Sequence, residues 1–63
     1  MQILAVLAKQ SRNRGLIAWS FQADGDTCVA VRNDGRRYPY ASKEEMRTGY
    51  KKIRDEYGYQ RVA

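Results

Sequence analysis

The residues with the clearest chemical potential in this chain are four cations on its last periodic segment. Apolar residues after Ser42 recur at helical spacing, so side chains can be placed around a cylinder at about 100° per residue. The four cations then fall within an arc of about 80°: Lys43, Arg47, Lys51 and Arg54. Arginine grips carboxylate and phosphate with a planar fork, and lysine attracts them as a point charge. The spacing predicts a basic ridge on one helix flank, with an ordinary solvated helix face as the alternative.

Three further arginines flank a turn sequence. Arg32, Arg36 and Arg37 surround residues 33–35, Asn-Asp-Gly. Asp-Gly favours the positive φ angles of a tight hairpin. A β-ribbon that carries arginines can enter a DNA groove or grip phosphates. The alternative is a polar hairpin end that charge keeps soluble.

The usual catalytic sets are missing. The chain has no histidine and one cysteine, Cys28, which excludes Ser-His and Cys-His pairs, His-dependent metal sites and a structural zinc site. Cys28 is most simply a small buried hydrophobe. Asp24 and Asp26 around Gly25 are typical turn residues rather than metal ligands. We therefore expect no enzyme activity, no cofactor and no metal.

Charge and size favour a binding surface. The net charge is +5, and eight of the 12 cationic residues are arginine, which suggests a phosphate-rich or acidic partner; a merely solvated surface is the alternative. A length of 63 residues allows one domain, 1–63. Such a domain buries only about 60% of its unfolded surface, which leaves little room for a closed pocket.

The compartment follows from the single thiol and the short apolar run. One cysteine allows no internal disulfide and suits a reducing environment. The longest apolar run, residues 3–8, is too short to span a bilayer, and no basic region precedes it as in a signal peptide. We expect a cytoplasmic protein without a membrane partner.

The first two segments differ in their periodicity. Residues 2–13 are rich in good helix formers, with cations toward their end, and Gly15 follows as a terminator. The sequence predicts a helix there, and a strand is the alternative because short apolar runs are ambiguous. In residues 16–22 bulky and small side chains alternate, which predicts a strand. Residues 27–32 and 36–40 complete a hairpin, and Pro39 places the last strand at a sheet edge.

The segment after Ser42 carries the strongest helix signal. Ser42 and Glu45 form a capping-box pattern. Apolar residues then recur at spacings of four, three and four: Met46, Tyr50, Ile53 and Tyr57. Gly49 at the edge of this stripe permits a strand to approach closely, and Gly58 ends the helix. Residues 59–63 are a tail or a last short strand.

These elements predict an α+β domain of order αβββα. A three-stranded antiparallel sheet is packed by the C-terminal helix, with an N-terminal helix before it. Trp19, Val31 and Ile53 should be buried together. Leu16, Ala18 and Ala30 are expected on the small-residue face of the sheet. This face either receives the first helix or stays open as a docking surface. Most tyrosines should lie in the core, and Tyr59 is expected to be the most exposed.

Residues 28–53 resemble the three-stranded-sheet DNA-binding domains of the AP2 and integrase arm-type class. The shared pattern is Val-Ala-Val-Arg at 29–32, Gly-Arg-Arg-Tyr at 35–38, Ser-Lys-Glu-Glu at 42–45, and Tyr50. The pattern departs from the class at Pro39, Met46 and Gly49. The resemblance implies a sheet that enters the major groove, with the hairpin arginines as contacts.

The sequence thus favours a small non-enzymatic nucleic-acid-binding module. Its candidate contacts are the hairpin arginines and the helix cations: Arg32, Arg36, Arg37, Arg47, Lys51, Arg54 and Lys43. The alternative is a small protein-binding regulator or inhibitor that docks on a host enzyme, of the kind that phages and mobile elements encode. The sequence leaves the oligomeric state open.

Overall fold

The structure, a computed structural model, describes residues 2–63. Within them, five antiparallel strands form one sheet with one helix. The elements are β1 (Gln2–Ser11), β2 (Gly15–Asp24), β3 (Thr27–Arg32), β4 (Arg37–Tyr40), α1 (Lys43–Glu56) and β5 (Gln60–Arg61). The sheet order is β4-β3-β2-β1-β5. Four strands therefore form a meander, and α1 carries the chain across to the far edge.

The predicted N-terminal helix is wrong, and with it the αβββα order. Residues 2–11 form β1, which pairs with β2 from Ser11 opposite Gly15 to Gln2 opposite Ala23. The pairing buries Ala5 and Leu7 on one face, and Gly15 closes the hairpin at a φ of 72°. Pairing with β2 satisfies backbone groups along one edge of β1, with a bulge between Ile3 and Ala5, and this outweighs the local helix propensity. The sheet also gains β5, so it has five strands rather than three.

The predicted second hairpin is confirmed. β3 and β4 pair in antiparallel fashion, and Gly35 takes a φ of 98° in the turn. The Arg32 amide donates to the Arg36 carbonyl at 2.7 Å. Because bonded pairs alternate along an antiparallel ladder, the amide position of Pro39 then faces outward. Pro39 therefore removes a donor from the free edge, which discourages a further strand from adding there.

The predicted helix cap is also confirmed, with one change. The Glu45 amide donates to Ser42 Oγ at 3.1 Å. The Glu45 carboxylate accepts from the Ala41 amide at 3.2 Å, one residue before the usual capping-box partner. At the other end, Lys9 Nζ donates to the Tyr57 carbonyl at 2.8 Å. Both helix ends thus have partners for groups that the helix leaves unpaired.

The core lies between α1 and one face of the sheet, called here the helix-side face. Its buried members are Leu7, Phe21, Cys28, Ala30 and Met46. Around them pack partly buried side chains: Trp19, Ala23, Tyr40, Tyr50, Ile53 and Tyr59. The sequence predicted that Tyr59 is the most exposed tyrosine, and this is wrong. Tyr38 and Tyr57 are more exposed.

No helix covers the other face of the sheet in residues 2–63, and it is called here the open sheet face. Strand alternation and register give its central members: Val6, Ala8, Ala18, Ser20, Gln22, Val29 and Val31. Of these, Val29 is already buried, with 4% of its surface exposed. Val31 pairs with Ser20, so its predicted burial with Trp19 and Ile53 is wrong. Ala30 pairs with Phe21 and belongs to the helix-side face, which corrects its predicted place.

The described part of the chain contains no helix that is long and apolar enough to cross a membrane.

We predict that Gly49→Ala destabilises the protein, although alanine usually stabilises a helix by about 0.5–1 kcal/mol. A Cβ at Gly49 would lie 2.5 Å from Tyr40 Oη and 2.8 Å from Tyr40 Cε1. Overpacking of this kind costs about 1–3 kcal/mol. The net loss should lower the melting temperature by roughly 4–8 °C per kcal/mol in a domain of this size.

Thermal unfolding followed by circular dichroism measures this change. Thr48→Ala is the matched control, because Thr48 is exposed and its hydroxyl bonds only the Glu44 carbonyl. This control should melt near the wild-type temperature. A Gly49→Ala variant that melts at or above wild type would contradict the close helix–strand approach.

Candidate functional site

The four cations predicted on the last helix all line one groove. The groove runs between α1 and the β1–β5 side of the sheet and has a volume of about 470 Å³. Its cations are Lys43, Arg47, Lys51, Arg54 and Arg61. Its floor is apolar: Leu4, Ala5, Phe21, Met46 and Tyr50. Among residues 2–63, none of the lining side chains is acidic.

Arg61 joins the groove through the sheet. It pairs with Leu7 across β1 and β5, and residues directly opposite each other lie on the same face. Leu7 is fully buried under α1, so Arg61 lies on the helix-side face. Sequence reasoning missed Arg61, because a two-residue strand gives no periodicity and its place depends on a partner far away in the chain.

The groove cations differ in how far acids neutralise them. Arg54 Nε donates to Asp55 Oδ1 at 2.9 Å, and its guanidinium lies 5.4 Å from the Tyr50 ring centroid. The hydrogen bond with Asp55 raises the pKa of Arg54 and lowers the pKa of Asp55. In the described chain, Lys43, Arg47 and Lys51 form no ion pair. Their charges are available to an anionic ligand.

The hairpin arginines are in a different position. The Arg32 guanidinium pairs with Asp34 and lies 5.9 Å from the Trp19 ring, and only 13% of the side chain is exposed. Arg36 is exposed, with Nε 3.9 Å from the same carboxylate. Hydrogen bonds from Arg32 and the Arg36 amide hold the pKa of Asp34 well below its usual range. The ionised Asp34 therefore neutralises part of the charge at this turn.

A second turn adds another arginine at the same end of the sheet. A depression of about 340 Å³ is lined by Arg14, Leu16, Ile17, Arg32, Asn33, Asp34 and Arg36. In a meander the first and third turns lie at one end, which brings residues 12–14 beside residues 33–36. Asn33 ties the turns together, since its side chain donates to the Leu16 carbonyl at 2.8 Å. Because the sequence predicted a helix at residues 2–13, it did not place Arg14 beside residues 33–36.

The seven predicted cations therefore do not form one surface. Four lie in the groove, and Arg32 and Arg36 lie around Asp34. Arg37 pairs with Val31 and belongs to the open sheet face. The structure brings together the helix set and separates it from the hairpin set.

The opposite flank of α1 carries an aromatic pocket of about 260 Å³. Its lining is Trp19, Tyr38, Tyr40, Gly49, Lys52, Ile53 and Tyr57. The Tyr38 and Tyr40 rings lie 5.0 Å apart, and burial raises the pKa of Tyr40. Tyr38 and Tyr57 are 56% and 52% exposed. These rings are accessible, although the sequence assigned most tyrosines to the core.

We predict that the pKa of Asp34 rises toward its ordinary value of 3.8 in an Arg32→Gln variant, because the strongest hydrogen bond to the carboxylate is lost. A carboxyl-carbon NMR titration measures this pKa. The folded pKa is depressed, so the stabilisation is complete above the ordinary value and is lost as the pH falls toward the folded pKa.

Arg12→Gln is the control, since it removes a cation from the neighbouring turn and leaves Asp34 its partners. An unchanged Asp34 pKa in Arg32→Gln would mean that the pair does not form in solution.

Comparison with family models, with curated proteins and with solved structures gives no match to this chain. The resemblance of residues 28–53 to the AP2 and arm-type class therefore stays a prediction.

Proposed function

We propose that this protein is a non-enzymatic nucleic-acid-binding module and that the groove is its interface. The observation that carries the proposal is the convergence of five cations on one groove whose described lining has no acid. Nucleic-acid affinity comes largely from cations that replace the counterions condensed on phosphates. A concave surface with clustered cations is suited to that exchange.

The spacing of the helix cations suits a chain of phosphates. Lys43, Arg47 and Lys51 follow one another at intervals of four residues, which is about 6 Å of helix rise. The phosphates of a nucleic-acid strand that runs along α1 would therefore meet successive cations. The exposed part of Leu4 and the half-buried Tyr50 ring offer sugars and bases an apolar surface.

The hairpin arginines have a smaller role in this proposal. Asp34 engages Arg32 and Arg36, so a phosphate would have to compete with an existing partner. Arg37 remains a peripheral contact. The proposal also places the protein in the reducing cytoplasm, because its one thiol, Cys28, is buried and has no disulfide partner.

We predict that Lys51→Gln weakens binding to short oligonucleotides and that Lys52→Gln does not. The two variants lose the same charge at adjacent positions, but Lys51 lines the groove and Lys52 lines the aromatic pocket. Fluorescence anisotropy titrations at several salt concentrations give the dependence of log affinity on log salt. Lys51→Gln should reduce that slope by about one unit, because one phosphate contact is lost.

Duplex and single-stranded oligonucleotides are both titrated. Absence of binding to either at low salt would overturn the nucleic-acid proposal. Equal losses in Lys51→Gln and Lys52→Gln would overturn the groove as its interface, because only overall charge would then matter.

The second candidate function is a protein-binding regulator that docks on a host enzyme. The aromatic pocket favours it, because exposed tyrosines beside a tryptophan are typical of interface hot spots. Docking would use the pocket rather than strand addition, since Pro39 blunts the β4 edge. This candidate predicts binding to a protein with little salt dependence and with a large loss in Tyr38→Ala.

A further inference from the structure

The open sheet face differs from the rest of the molecular surface in composition. Charged residues make up 30% of the chain, yet the central members of this face carry no charge and no aromatic ring. The charged residues that alternation places on it in the described strands are Asp24 and Arg37, both at strand ends. The other side chains are small, aliphatic or uncharged polar, and the polar ones include Gln22 at the centre and Gln10 and Gln60 toward the β1–β5 side.

This face also holds the most exposed aliphatic side chains that the structure describes. Ile3, Leu16 and Val62 are 59%, 56% and 63% exposed. Ile3 pairs with Gln22 and Leu16 pairs with Gln10, and the Val62 amide donates to the Val6 carbonyl at 2.9 Å. Each pairing places the aliphatic residue on the open sheet face. The three side chains therefore add exposed aliphatic surface to this face.

The total exposed area is slightly above average. The chain exposes 4642 Å² at a mass of 7.3 kDa. Folded monomers of this mass expose about 4,200 Å² on average. The chain thus exposes roughly one tenth more surface than that average, in a molecule that measures 35 × 22 × 18 Å.

We propose that a second copy of this chain covers the open sheet face, so that two sheets pack face to face. Five strands about 4.8 Å apart and six residues of about 3.3 Å give a projected area of about 480 Å² per chain. Two chains then bury about 960 Å² of projected area, close to the roughly 1,000 Å² that a biological interface should exceed, and the uneven surface of the side chains adds to this figure. The small side chains of Ala8, Ala18 and Ser20 permit the sheet spacing of about 10 Å.

Charge favours a copy over a foreign partner at this face. The groove cations lie on the helix side, so two copies with a net charge of +5 each would keep those charges on opposite outer surfaces. An acidic partner would be drawn to the groove, because charge steers association. An uncharged flat patch needs only to match itself across a two-fold axis.

Sedimentation equilibrium of the full chain, over a dilution series that reaches about 1 mM, tests the proposal. Wild type should show twice the 7.3 kDa chain mass. Ser20→Lys should show a single-chain mass, because Ser20 lies on the central strand of the face and a charge there would be buried against its own copy. Thr48→Lys adds the same charge on the exposed outer side of α1 and should remain a dimer.

Circular dichroism checks that each variant is folded. If Ser20→Lys unfolds, Ala18→Lys takes its place. A wild-type mass of one chain at every concentration would overturn the proposal. A dimer that persists in folded Ser20→Lys or Ala18→Lys would overturn the assignment to this face. If Thr48→Lys also dissociates, net charge rather than this surface controls association, and the assignment is again overturned.

Discussion

The packing of α1 on one face of the sheet determines every surface of this molecule. Met46 is buried against Phe21 and Leu7, and Gly49 leaves room for the Tyr40 ring. These contacts fix how the helix is rotated about its axis. The basic side chains are thereby directed toward β1 and β5, and the aromatic pocket forms on the β4 side. Because residues 2–63 provide one helix for five strands, they leave the opposite sheet face without a covering element.

Electrostatics distinguish the groove from the other cationic sites. At the turns, Asp34 engages Arg32 and Arg36, and at the end of α1, Asp55 engages Arg54. Exposed ion pairs of this kind add little stability, but they reduce the charge that a ligand meets. The middle of the groove keeps its charge, since no acid pairs with Arg47 or Lys51 among the described residues. A high count of arginines therefore does not by itself locate an interface.

Local signals in the sequence predicted the parts of the fold that are made locally. The Ser42 cap, the turn at residues 33–35 and the edge position of Pro39 depend on residues within a few positions of each other. The apolar run at 2–13 fits a helix or a strand, and only its distant partner β2 decides between them. The register also decides which face Val31 occupies. Helical spacing predicts four of the groove cations. The positions of Arg61 in the groove and of Arg14 beside the turn of residues 33–36 depend on strand pairing, which the sequence does not show.

The groove between α1 and the β1–β5 side of the sheet is the proposed binding surface for nucleic acid. The most direct measurement is NMR chemical-shift mapping of isotope-labelled protein titrated with a short oligonucleotide at low salt. We expect the largest shifts along the groove lining, with smaller shifts at the turn of residues 33–36. The groove residues to follow are Lys43, Arg47, Lys51, Arg54 and Arg61. Shifts centred on the Asp34 turn or the aromatic pocket, with the groove unchanged, would contradict this proposal.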